Sequence, residues 1–297
     1  MLSLKPQNKI EFTTVKTFTR GHSTCLVRLV ETEEGTFVLK SAEKDNTRGR
    51  YELENNLAGS EEIEQMGIAT IIPARYEFFQ TDDAYHLIMS YLGEDLETMV
   101  NKSQRPEREF HQVLLNLAYV YNRTHRSGYD SAAEARQYIE KMIALTEKNH
   151  MLANEGRADS RFVDMLEQFR IPEMAASTFA CHDLTPEDLF LCDGQLKYPD
   201  PKAGLRGVPI VDIACFAGVC RDSYNMKGAK TAYDRMKEFA LDLSTGFGMT
   251  RVQAESLFYL GRALQASLSA RFAKYDDKRH EHNEKAKNYI TKANELG

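Results

Sequence analysis

One change of periodicity does most to limit what this chain can fold into. Up to about Gly93 apolar residues recur with the two-residue alternation of strands; beyond it they recur with the spacing of amphipathic helices. Strands gathered at one end and helices at the other point to an α+β chain, because alternating βαβ units would interleave the two patterns. Strand patterns cover residues 9–20, 24–31 and 36–40, with a Glu33-Glu34-Gly35 turn between the last two. Two more, 74–80 and 84–91, flank a Thr81-Asp82-Asp83 turn, and between the groups Leu53, Leu57, Ile63 and Met66 mark a helix ending at Gly67. The expectation is a small five-stranded antiparallel sheet lobe with one inserted helix over 1–91. A larger helical lobe over 92–297 follows, broken between about 179 and 213 by a short hairpin at Cys192-Asp193-Gly194-Gln195.

Composition excludes several function classes. A net charge of −6, from 44 acidic against 38 basic residues, argues against nucleic-acid binding, which calls for a basic stripe. Cys25, Cys181, Cys192, Cys215 and Cys220 are odd in number and form no C-x-x-C pair, so they fit neither a disulfide framework nor a zinc site and read as reduced thiols. No apolar run approaches the roughly 18 residues of a membrane span, and the N-terminal segment lacks the apolar core of a secretion signal, so a cytoplasmic protein is expected.

Four groups of residues carry the chemistry, in this order. Thr36-Phe37-Val38-Leu39-Lys40 ends an apolar strand on a lysine; Glu54, or else Glu52, offers an acid on the following helix; Cys181-His182-Asp183-Leu184-Thr185-Pro186-Glu187-Asp188 comes next; Tyr198-Pro199-Asp200-Pro201-Lys202 follows the hairpin. Singly, each has an ordinary explanation. A strand-end lysine and acids on a charged helix are by default solvated, and Thr-Pro-Glu-Asp is a good helix start. Yet Leu189-Phe190-Leu191-Cys192 runs straight into the Asp193-Gly194 turn, leaving space for one helical turn at most. His182 is more often structural than catalytic, Asp212 suits a helix N-cap, and the His280-Glu281-His282 run lacks metal-helix spacing. The joint order is therefore the signal.

That order resembles the protein-kinase-like superfamily, and within it the aminoglycoside and choline phosphotransferase branch, over most of the chain. Asp183, Leu184 and Pro186 align with that branch's H-G-D-L-x-P-x-N motif; Pro199-Asp200-Pro201 matches I-D-P, Val211-Asp212-Ile213-Ala214 matches Y-D-L-A, and the 123–128 helix end matches L-H-x-x-G. Residues 200–207 also resemble the D-P-R-G segment of phosphotransferases from bacterial surface-sugar pathways. The resemblance implies an ATP-dependent, possible GTP-dependent, transfer of phosphate to a hydroxyl of a small, sugar-like or amino-alcohol molecule. Phosphoryl transfer needs mainly positioning and charge neutralisation. Lys40 would clamp the α/β-phosphates, Glu54 would aim it, Asp183 would act as base, and Asp188 and Asp200 would supply oxygen ligands to Mg²⁺. Gly21 and Ser23 would meet the phosphates, and the adenine would lie beside Met89 and Tyr91, in a cleft between the lobes. Acceptor walls are expected from 131–174 and the helices after Ser223.

The sequence departs from the branch in two places. Asp188 stands where the branch has Asn, and the phosphate loop keeps only Gly21. Both departures favour one rival, a non-catalytic kinase-like binding module. Retention of Lys40, Asp183 and Asp200 opposes it. A protein Ser/Thr kinase is the other rival, opposed by the lack of an A-P-E-type anchor between Asp200 and Asp212.

Overall fold

A computed structural model of the chain describes residues 12–18, 24–154, 160–173, 176–181, 184–204 and 206–297. Strands β1 (Thr13–Phe18), β2 (Leu26–Thr32), β3 (Gly35–Glu43), β4 (Tyr76–Gln80) and β5 (Ala84–Ser90) form one antiparallel sheet in the order β1-β2-β3-β5-β4, with helix α1 (Thr47–Gln65) inserted between β3 and β4. The expected five-stranded sheet with one helix is present. Because side chains alternate along a strand, β3 sends Phe37 and Leu39 to one face, where they pack with Val30, Phe79 and Ile88. Val38 and Ala42 go to the other, where they meet Leu87, Met89 and Leu53 of α1. Lys40 shares the parity of Val38 and Ala42, so its side chain emerges on the α1 face and is buried.

Helix α1 starts where Asn46 accepts the Gly49 N–H at 2.8 Å, an ordinary N-cap. It ends at Gly67, whose φ of +73° is left-handed, with the Ile68 N–H closing back on the Ile63 carbonyl. By its contacts this first unit comprises Met1–Asp95 together with Asp188–Leu205. The second stretch, grouped with the helical lobe by the sequence pattern, brings a hairpin of strands Phe190–Cys192 and Gln195–Lys197 to the sheet unit. As the Asp193-Gly194 turn requires, both turn residues have positive φ, at 51° and 77°.

The second unit, Leu96–Glu187 and Arg206–Gly297, is mainly helical. It contains α2 (Leu96–Lys102), α3 (Pro106–Thr124), α4 (Tyr129–Ala153), α5 (Ser160–Glu167), α6 (Pro209–Gly218), α7 (Ala229–Gly246), α8 (Arg251–Phe272) and α9 (Asp276–Leu296). Its only other regular piece among the described residues is a small antiparallel sheet of Arg126–Ser127, Ala176–Phe179 and Arg206–Gly207, with Ala176–Phe179 in the middle, plus the π-helical turn Val219–Ser223 after α6. Helix α8 is buried on nearly every side and packs against α4, α6, α7 and α9. Its fully buried Arg262 pairs with Asp222 and holds the π turn in place. Helix α9 buries His282, Asn283, Ala286, Ile290 and Ala293 along one face, as its amphipathic sequence predicts. No helix among the described residues is long and apolar enough to cross a membrane.

Candidate functional site

In the first unit the site grows from β3. The strand carries Lys40 inward between Val27 of β2 and Leu87 of β5. Its ammonium donates to Asp200 Oδ1 at 2.6 Å and lies 3.4 Å from Asn56 Oδ1. Lys40 and Asp200, 160 positions apart in sequence, are thus brought together as a partly buried ion pair. Burial pushes the Asp200 carboxyl up, but the charge and hydrogen bond of Lys40, with smaller contributions from Lys202 and Asn56, pull it down further. It lies below the ordinary carboxylate value of 3.8 and is ionised at neutral pH.

Asp200 is fixed because its whole segment is fastened. The Tyr198 N–H donates to the Ile71 carbonyl at 2.6 Å, and the Tyr76 hydroxyl donates to the Pro199 carbonyl at 3.2 Å. Burial, then the Asp200 charge, push that Tyr76 phenol well up. Helix α1 supplies the rest from one face. Asn56 Nδ2 donates to the Pro201 carbonyl at 3.0 Å, Asn55 accepts the Ala203 N–H at 3.2 Å, and Glu62 accepts the Gly204 N–H at 2.9 Å. Gly59 lies in the middle of that face, where a Cβ would fall 2.7 Å from the Lys202 carbonyl carbon, so only glycine lets the segment lie against the helix.

This geometry does not bring either acid expected as the lysine partner to Lys40. Glu54 lies on the outer face of α1 and pairs with Arg50 at 2.8 Å, one helical turn away. The i, i+4 spacing makes that surface pair the easy outcome, while the opposite, inward face carries the uncharged Asn56 two residues on. Glu52 accepts both the N–H and the hydroxyl of Thr24, at 3.0 and 2.9 Å. Gly21 and Ser23 lie outside the described residues, so the phosphate-loop expectation is not addressed by the fold. Met89 is buried inside the sheet between Val38 and Tyr76, and the Ser90 N–H is taken by the Arg75 carbonyl. Tyr91 is exposed just past the strand, its N–H 3.4 Å from the Thr36 carbonyl. Asp188 is half-buried at the end of a 3₁₀ turn, Pro186–Asp188, the single turn that the sequence leaves room for.

Asp183 and His182 lie outside the described residues, but the chain just before them is hydrogen-bonded in the second unit. The Phe179 N–H donates to the Thr124 hydroxyl at 3.0 Å, and the Cys181 N–H donates to Asp212 Oδ2 at 2.5 Å. Asp212 is buried and also accepts from the Tyr138 hydroxyl at 2.6 Å. Burial and then the Asp212 charge push the Tyr138 and Tyr121 phenols well up, so both stay protonated. The capping role expected of Asp212 is therefore corrected. Val208 is the N-cap of α6, and Asp212, inside the first turn, spends its carboxylate on the backbone two residues before Asp183. Cys181 is buried, as a structural thiol would be.

No family model and no curated protein sequence matches the chain. Solved structures do match. A choline kinase from Cryptosporidium parvum Iowa II superposes with a TM-score of 0.58 at 11% identity, covering 98% of this chain and 91% of its own. A protein assigned as an aminoglycoside phosphotransferase, from Ralstonia eutropha JMP134, gives 0.55 at 12% identity, covering 96% and 92%. One assigned as a fructosamine-3-kinase, from Haemophilus somnus 129PT, gives 0.54 at 12%, covering 94% and 92%. This chain has the protein-kinase-like fold of small-molecule kinases.

Within that kinase-like fold, the order of the chain singled out Lys40 and Asp200, which the structure brings together as an ion pair. It did not single out Asn56, bonded to Lys40, or Tyr138, bonded to Asp212, since an amide on a charged helix and a tyrosine on a long amphipathic one carry no motif. The only available hint was spacing: Asn56 stands one turn after Glu52 and one turn before Ser60, on a face where Asn55 and Gly59 are also uncharged.

Proposed function

We propose that the protein is an ATP- and magnesium-dependent phosphotransferase acting on a hydroxyl of a small molecule, sugar-like or amino-alcohol in character. The observation that carries this reading is the Lys40–Asp200 pair, with Asp200 on a fastened segment and Lys40 inside strand β3, which runs on to Glu43 rather than ending on the lysine. Two opposite charges taken out of water stabilise little by themselves, and stripping one of its partner is costly. A magnesium–nucleotide complex offers each a new partner at once: phosphate oxygens for the ammonium, a cation for the carboxylate. The exchange leaves neither charge bare.

The residues fit the metal by chemistry. Asp200, ionised and half-buried, and Asp188 are the hard oxygen donors that Mg²⁺ prefers, and it keeps water in its remaining positions. When bound, magnesium would neutralise charge on the transferring phosphate. Lys40 would orient and neutralise the α/β-phosphates. Asp183 would accept the hydrogen bond of the acceptor hydroxyl and take its proton as the new P–O bond forms and the bond to the leaving diphosphate breaks. Asp212, holding the Cys181 N–H, would position the chain that leads into Asp183.

The test is a thermal-shift titration with ATP, GTP and ADP, each with and without Mg²⁺, on wild type and Asp200→Ala, since ligand binding to the folded state raises its apparent stability. A metal-dependent shift lost in the variant supports the reading and leads to a phosphorylation screen of sugars and amino alcohols, in which Asp183→Ala is inactive but still binds nucleotide. Absence of any shift moves the assignment to a kinase-like module without turnover.

A further inference from the structure

We infer that Asn56 is the positioning residue of the nucleotide site, orienting Lys40 and the Asp200-Pro201 turn together. This rests on the phosphotransferase reading above. Asn56 is 1% exposed at the middle of α1. Its Oδ1 faces the Lys40 ammonium at 3.4 Å and its Nδ2 faces the Pro201 carbonyl at 3.0 Å. The chemistry of the partners fixes which end points where. An ammonium can only donate and a carbonyl can only accept, so the amide has one orientation that satisfies both.

That requirement also explains why the acid expected on this helix is replaced by an amide. A carboxylate could accept from Lys40 but has no proton for Pro201, and its oxygens would face the peptide carbonyl across about 3 Å. It would also change the charge balance. With Asn56 the hydrogen-bonded pair is one cation, Lys40, and one anion, Asp200, with Lys202 close enough to act on the carboxylate. A second carboxylate in contact with Lys40 would compete with phosphate for the lysine and repel a polyanionic nucleotide. The neutral amide keeps a hold on Lys40 after Asp200 turns to another partner, and keeps the Asp200-Pro201 turn in place while that happens. Asn55, Gly59 and Glu62 fasten the following residues, whereas Asn56 hydrogen-bonds both Lys40 and the turn.

Asn56 acts on phosphate and metal, not on the nucleoside, and this separates a positioning role from a merely structural one. The experiment is isothermal titration of the full chain with Mg·ADP and with adenosine, for wild type, Lys40→Met, Asn56→Ala and Asn56→Asp. Expected for both Asn56 variants is a loss of about tenfold in Mg·ADP affinity, the scale of a lost hydrogen bond to a charged group, with adenosine affinity unchanged. Asn56→Asp has nearly the same volume, so it carries the test if Asn56→Ala shows no cooperative melt. Equal losses for Mg·ADP and adenosine, or no loss, in the folded variants overturn the inference while Lys40→Met, selectively weak for Mg·ADP, leaves the phosphotransferase reading standing. A wild type that binds no Mg·ADP overturns both.

Discussion

Replacing Lys40 by methionine removes the ammonium but keeps most of the aliphatic stem, so the loss falls on the ion pair and not on packing. Asp200 then remains partly buried without its main partner. Breaking a fully buried pair from one side costs about 3–5 kcal/mol. Here the side chains are 11% and 29% exposed, and Lys202 and Asn56 remain near the carboxylate, so the lower end applies. About 3 kcal/mol corresponds to a fall of about 5 °C in melting temperature for a chain of this length. The pH dependence gives the sharper check. In the wild type the Asp200 pKa is depressed below 3.8, so its contribution is present above the unfolded value and disappears only as pH falls through the lower, folded one. In Lys40→Met burial prevails, the carboxyl moves up, and protonation relieves the bare charge. The stability gap between the two proteins is therefore widest near pH 7 and narrows as pH approaches 4. Urea unfolding at both pH values, with Asp200→Asn and the double variant completing a cycle, measures it. A gap independent of pH, or a double variant no more stable than the sum of the two single losses implies, would refute the argument that the pair is coupled.

Three other variants follow from the same geometry. Gly59→Ala should destabilise despite the better helix propensity of alanine, because the new methyl meets the Lys202 backbone at 2.7 Å; a rise in melting temperature would mean that the segment can retreat freely. Glu54→Gln should leave both melting temperature and Mg·ADP affinity as in wild type, since its partner is the exposed Arg50; selective loss of Mg·ADP binding would return Glu54 to the role first expected of it. Tyr138→Phe leaves one Asp212 oxygen without its donor in a buried setting and should cost about 1–3 kcal/mol, with a lower turnover number and little change in nucleotide affinity, measured by urea unfolding and steady-state kinetics once an acceptor is found.

The order of elements was legible because it depends on periodicity, which local sequence carries. Two-residue alternation placed β2, β3, β4 and β5, and the Asp193-Gly194 turn placed the hairpin. The end of helix α4 at Ala153 was not legible in the sequence, because its last turns rest on tertiary contacts: His150 stacks on Phe162 of α5 and Asn149 accepts from Arg271 of α8. The grouping of Asp188–Leu205 with the sheet unit was not legible either, because it depends on hydrogen bonds to α1, β4 and the 3₁₀ turn Ala69–Ile71, which no local pattern announces.

The same distinction explains the lysine partner. A search for an acid on α1 is a search by residue type, and the helix offers Glu52, Glu54, Glu61, Glu62 and Glu64, all chemically able to pair with an ammonium. What decides among positions is the helix face, and Lys40 meets the face of residues 52, 55, 56, 59 and 62. On that face the two acids are already engaged with backbone donors, Glu52 with Thr24 and Glu62 with Gly204, at either end of the helix. The central position faces a cation and a carbonyl at once. Only a side chain that accepts and donates satisfies both, and asparagine does so while adding no charge where a polyanion must bind. The chemical demand at residue 56 is therefore set by two partners far away in sequence, so it becomes visible only when the fold brings Lys40 and Pro201 to the same turn of one helix.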